Sequence, residues 1–219
     1  MNRVINATKL DFYASKSMLR MTSLLVIIGV VIGLAAHGPE YMMMFIMVFA
    51  VTSSGSVFSV HEKCHSDKLY GILPLKKSEM ILGRYLYALI IGAAYAATGG
   101  ILGFAMSMVM SGRLNALPYW ATLAIAFAYF CFAVGVAYPI FFKFSFTKAY
   151  VFTMLPMYVI AVLFLFVTRR TDFTSGIGSA IKFFTAHVYL LPTFGLLAGL
   201  VLLVVSALIA NLVYTRKEI

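Results

Sequence analysis

Residues Tyr85–Gly112 read YLYALIIGAAYAATGGILGFAMSMVMSG, without one Asp, Glu, Lys or Arg. A helix rises about 1.5 Å per residue, so about 20 such residues cross a hydrocarbon core about 30 Å thick. Over that length of lipid a helix satisfies every backbone N–H and C=O within itself, whereas barrel strands are only about 9–11 residues long and alternate in polarity. The stretch therefore predicts a membrane-crossing helix. Five further charge-free runs follow the same logic: Met21–Pro39, Tyr41–Val60, Leu114–Phe142, Ala149–Thr168 and Phe183–Thr215. Gly33-Leu34-Ala35 loosely fits a small-x-small cleavage site, but twenty residues precede that first apolar run, long for a signal peptide, so it reads as a retained helix. The expected fold class is all-α, with six transmembrane helices in a single transmembrane domain over residues 1–219.

Composition excludes the alternatives. Of 219 residues, 63% are hydrophobic and 11% charged, against about 45–50% and about 25% in a soluble domain. Too few charges remain to coat a water-soluble globule, and a disordered chain needs more of them still. Seventeen Lys and Arg against seven Asp and Glu give a net charge of +10. In a soluble protein that excess would point to nucleic acid; here it maps to loops. Arg3, Lys9, Lys16, Arg20, Lys63, Lys68, Lys76, Lys77, Arg84, Lys143, Lys148, Arg216 and Lys217 fall on one side of the six runs, and Arg113, Arg169, Arg170 and Lys182 on the other. The positive-inside bias places both termini in the cytoplasm. Tyr41, Tyr119, Trp120, Tyr150, Tyr189 and Tyr214 mark run ends, where aromatic rings favour the headgroup level. Cys64 and Cys131 offer no disulfide framework.

The runs are as informative for what they lack. None holds an ionisable acid, Lys or Arg, so the proton relay of a pump has no group at membrane depth. Small residues recur at helical spacing: Gly29 and Gly33, then Gly92, Ala96 and Gly100, then Gly195 and Gly199. Such stripes let backbones approach closely, within one subunit or at a dimer seam. Thr52, Ser53, Ser54 and Ser56 form a hydroxyl patch in the second run, with Met44 and Met47 above it. They read either as a tolerated patch bonded to its own helix and core filling, or as the weakly polar and adaptable wall of a substrate pathway.

The most informative loop runs from His61 to Arg84. It opens with His61-Glu62-Lys63-Cys64-His65, a literal H-E-x-x-H. On a helix, His61 and His65 would share a face and take zinc, with Glu62 as general base. That makes a membrane-embedded metalloprotease a rival reading. A catalytic zinc wants three protein ligands plus water, and the acids beyond Asp67 are only Glu79, Asp172 and Glu218. An apolar knob follows, Leu69-Tyr70-Gly71-Ile72-Leu73-Pro74-Leu75, then Lys76-Lys77-Ser78-Glu79 and Arg84-Tyr85. An apolar knob inside a charged loop suggests docking on a partner, and Ser78 suits the cap of the incoming third helix.

The order Glu62-Lys63, Leu73-Pro74-Leu75, Lys77, Glu79, Arg84-Tyr85 resembles the permease subunits of ABC type-2 exporters: an acidic-basic pair, a leucine-proline turn, a basic residue, an acid, and a basic-tyrosine start to the third helix. The six runs with both ends inside fit as well, and the resemblance is nearest to small permeases that work with a separate ATPase, including exporters of lantibiotics and amphipathic peptide toxins. One departure is His61, where an acid is common in that family. The resemblance implies a bacterial, multi-pass plasma-membrane permease. It implies a first coupling loop over 61–84, in which Glu62, Lys68, Leu69, Tyr70, Leu73, Pro74, Lys77 and Glu79 meet the ATPase, and a second over 143–148 led by Lys143 and Phe144. Residues 1–20 then correspond to an interfacial lead-in helix. Their own pattern, with Ala7, Leu10, Ala14 and Met18 on one stripe and Lys9 and Lys16 off it, indicates by itself only a membrane-surface helix. Residues 169–186 correspond to short outer helices.

The sequence holds no G-x-x-x-x-G-K-[ST] phosphate loop. No cofactor is therefore expected in this chain; ATP and Mg would be bound by the partner ATPase. The expected partners are that ATPase, a second permease chain, identical or not, membrane lipid and an amphipathic peptide substrate, with no nucleic acid. The remaining rival is a non-catalytic membrane protein that confers immunity to a peptide.

Overall fold

The computed structural model describes residues 2–36, 38–64, 77–111, 116–151, 153, 158, 159, 162 and 190–215. Among them every regular element is a helix: α1 (Asn2–Ser23), α2 (Leu25–Ala36), α3 (Pro39–Lys63), α4 (Lys77–Ser111), α5 (Ala116–Lys143) and α6 (Leu190–Thr215). A further helical segment starts at 146. Five helical stretches among the described residues are long and apolar enough to cross a membrane, the first being Arg3–Ala35, which joins α1 and α2. Most of the run expected at Ala149–Thr168, the outer segment 169–186 and the apolar knob at 69–75 lie outside the described residues.

Several bounds differ from the sequence reading. α3 continues to Lys63 and α4 starts at Lys77, so residues 61–63 and 77–84, expected in the coupling loop, are helical. α1, which covers the expected interfacial lead-in, runs into α2 with only a turn at Leu24 between the helices. Asp11 meets His61, Gly29 faces Ile46 and Gly33 faces Met42. That is one antiparallel register along α1, α2 and α3. Lys16 and Arg20 lie on the exposed face, where long side chains carry their charge outward while the stem stays on apolar surface. Of the apolar stripe on α1 only Ala7 is fully buried. Ala7, Thr8, Asp11 and Ser15 are buried, while Ala14 is exposed. The reason is hydrogen bonding: Thr8 donates to the Gly83 carbonyl at 3.1 Å, and Ser15 Oγ lies 2.8 Å from the Tyr87 hydroxyl.

The core forms where α3, α4 and α5 meet, around Met42, Ile46, Met47, Val57, Tyr87, Phe130 and Tyr138. Glycine stripes serve packing inside the chain. A Cβ at Gly33 would stand 2.7 Å from the Met42 Cβ, one at Gly199 3.0 Å from the Cys131 Cβ, and one at Gly92 would strike the Phe130 ring. Among the described residues the most extensive helix pair is α5 with α6, and its centre answers a chemical problem. Pro139 lies inside α5 and has no N–H, so the carbonyl four residues earlier, Gly135, loses its helical donor. Ser206 of α6 donates to that carbonyl at 2.6 Å, and the Tyr85 hydroxyl of α4 sits 2.6 Å from Ser206 Oγ. A hydroxyl from a neighbouring helix restores what proline removed, as lipid demands.

Candidate functional site

The polar groups concentrate at the end of the bundle that carries the basic residues. His61, on the last turn of α3, is buried, and its Nε2 lies 3.2 Å from Oδ1 of buried Asp11. Arg84 is also buried. Its guanidinium carbon lies 4.8 Å from the Phe58 ring centre and 5.3 Å from that of Phe142. The cation thus bridges α3 and α5 through two aromatic faces, an arrangement worth about 2 kcal/mol or more when desolvated. Phe58 also stacks edge-on against Tyr138 and Phe142, at 5.0 and 5.1 Å.

Glu62 faces away from His61's partner. It is half-buried; one carboxylate oxygen accepts from the Ser145 hydroxyl, and the other accepts from the Thr147 N–H at 2.9 Å. Helices begin with unpaired backbone N–H groups and a partial positive charge. Glu62 therefore caps the helical segment that starts at 146, from across the bundle. The link between α5 and that segment is only Phe144 and Ser145. Its ends are held by Phe144 N–H donating to the Ile140 carbonyl at 2.8 Å and Ala149 N–H donating to that of Ser145 at 3.0 Å. The Phe141 and Phe146 rings pack at 5.0 Å beneath it. Phe144 stands 53% exposed, with Lys143 Nζ 5.4 Å from its ring centre.

The literal zinc motif is used differently. His61 is turned to α1 and Glu62 to the 144–147 link, so the two do not converge on one point. His65 lies outside the described residues, and among those described no three His, Cys, Asp or Glu side chains cluster as a metal would require.

The remaining expected site residues divide by location. Lys68, Leu69, Tyr70, Leu73 and Pro74 lie outside the described residues. Lys77 and Glu79 are in the first turn of α4. Glu62, Lys143 and Phe144 come together at the basic end. Ser53, Ser54, Ser56, Met44 and Met47 are buried in the core, and Thr52 is half-buried. Ser53 bonds the Phe49 carbonyl and the Tyr95 hydroxyl, both at 2.8 Å; Thr52, Ser54 and Ser56 bond carbonyls of their own helix, and Tyr138 donates to the Ser54 carbonyl at 3.0 Å. Two apolar clefts are present among the described residues. One, about 470 Å³, lies between α4 and α6 beside Val4, Tyr85 and Leu203; the other, about 410 Å³, lies between Gly100, Phe104, Tyr119 and Trp120. Neither is lined by the hydroxyl patch. Asp11, Arg84's pair of rings and Ser145 were not singled out by sequence reading. The only available signal was that Arg84, Phe58 and Phe142 stand near the predicted run ends.

The profile of a family described as ABC-2 family transporter protein matches residues 8–215. The chain belongs to that family. No curated protein and no solved structure matches the sequence. Membership makes this ABC-2 protein a multi-pass component of the membrane, the permease part of an ABC transporter, and implies an ABC ATPase as its partner.

Proposed function

We propose that this ABC-2 permease is the membrane subunit of an exporter that moves an amphipathic or hydrophobic substrate, best a peptide, out of the cytoplasm. Two permease chains, identical or not, work with two separate ATPase chains. Both termini and the basic end face the cytoplasm. ATP closes the ATPase pair, and the loops at 61–84 and 143–148 pass that motion to the helices. The motion biases an equilibrium between inward-open and outward-open or occluded states.

The observation that carries this reading is the two-residue link, Phe144 and Ser145, which holds an exposed Phe144 beside Lys143 of α5 at the basic end. An apolar ring beside a cation is the kind of anchor that a protein groove takes up. The preference for an apolar substrate is supported by the interior of the spans, where hydroxyls, Met and aromatic rings outnumber charges.

Purification of the full chain from its native membrane in mild detergent is expected to bring down a phosphate-loop ATPase in a fixed ratio. A chain that comes out homogeneous and free of any ATPase overturns the proposal.

A further inference from the structure

We propose that Glu62 is the positioning residue that sets how the second loop presents Phe144 to the ATPase, an inference that rests on the exporter reading above. Ordinarily a serine that precedes a helix turns its own hydroxyl back onto the first-turn N–H groups. Here the Ser145 hydroxyl donates outward to Glu62, and Glu62 accepts from the Thr147 N–H at 2.9 Å. The cap of this helix is therefore supplied by a carboxylate on α3. Hydrogen bonds to an ionised acceptor are about twice as strong as neutral ones, and the helix N-terminus favours the negative charge further.

The short link makes this cap decisive. Only Phe144 and Ser145 separate α5 from the segment at 146, so the angle between the two is fixed by the dihedrals of two residues and by whatever holds the segment from outside. The Phe141–Phe146 contact acts from the α5 side. Glu62 acts from the α3 side, and α3 is itself tied to α4 and α5 through Arg84 between Phe58 and Phe142. Phe58 and Glu62 are four residues apart on α3, one helical turn. Phe142 and Ser145 are three apart in sequence. The cation and the carboxylate therefore act on neighbouring levels of the same α3–α5 seam. The end of α3 and the second loop move as one body, and Phe144 rides on it. The neighbouring sequence supports a docking role for the ring: it is exposed, while Phe141, Phe142 and Phe146 are turned inward.

The test uses the full chain purified with its ATPase, in native form and as Glu62→Ala, Glu62→Gln and Phe144→Ala. Hydrogen exchange over residues 144–151 reads the cap, and the amount of ATPase retained per permease reads docking. Glu62→Ala is expected to speed exchange of the first-turn amides by about tenfold or more and to cut ATPase retention several-fold, as Phe144→Ala does, although it leaves the Phe144 ring in place. Glu62→Gln keeps one acceptor oxygen and restores part of both. Unchanged exchange in Glu62→Ala, with ATPase still bound, overturns the cap. Faster exchange with retention unchanged overturns the link to docking. A native chain that retains no ATPase removes the exporter reading, and the docking role of Glu62 falls with it.

Discussion

α3 and α6 both qualify as membrane-crossing helices, yet 78% of the most apolar window of α3 is buried inside the chain, against 22% for α6. The buried helix is the more polar one. α3 carries Ser53, Ser54, Ser56, Ser59 and His61 into the core, while α6 shows Phe194, Leu197, Val201, Val204, Leu208 and Leu212 outward. In water the ranking would be reversed. In lipid the surroundings are as apolar as any side chain, so apolarity marks the outer surface, and the interior is chosen for close packing and for hydrogen bonds.

That contrast is open to direct measurement. The largest effect is expected from Met47→Ala, which empties a fully buried site on α3: a loss of about 2–5 kcal/mol, read as a lowered midpoint of thermal unfolding in detergent. Ser206→Ala is expected to cost about 1 kcal/mol, because the Gly135 carbonyl above Pro139 loses its only inter-helix donor among the described residues. Ser206→Thr, which keeps the hydroxyl, should recover most of it. Val201→Ala on the outward face of α6 is expected to stay within about 0.5 kcal/mol in the same assay. A Val201→Ala loss as large as that of Met47→Ala would mean that α6 is covered by another chain, and the outer surface would have to be redrawn.

Much of this fold was legible in the sequence, and for a plain reason. Charged groups are excluded from lipid, so charge-free runs mark helices almost directly, and α3, α4, α5 and α6 fall where Tyr41, Tyr85, Leu114 and the last run placed them. The ends were less legible. Lys16 and Arg20 sit on an exposed face of a helix that runs on to Ser23, and α4 begins at Lys77, just before the Ser78 read as its cap. The bundle-facing side of α1 leaves no mark in its apolar spacing, because Thr8, Asp11 and Ser15 are drawn inward by partners on α3 and α4. The site was legible only in part. Glu62 and Phe144 were singled out, but the carboxylate that caps a helix 83 residues away leaves no local pattern, and neither does a serine that answers a proline on another helix.

Arg84 gives the basic end a particular kind of insulation. Dissolved ions weaken attraction between charges that water can reach, most fully beyond about 8 Å at physiological strength, and act far less on buried ones. A guanidinium shut between two rings is out of reach of that screening, whereas the half-exposed carboxylate of Glu62 is not. Brine should therefore loosen the outer fastening of the α3–α5 seam while the inner one stays shut.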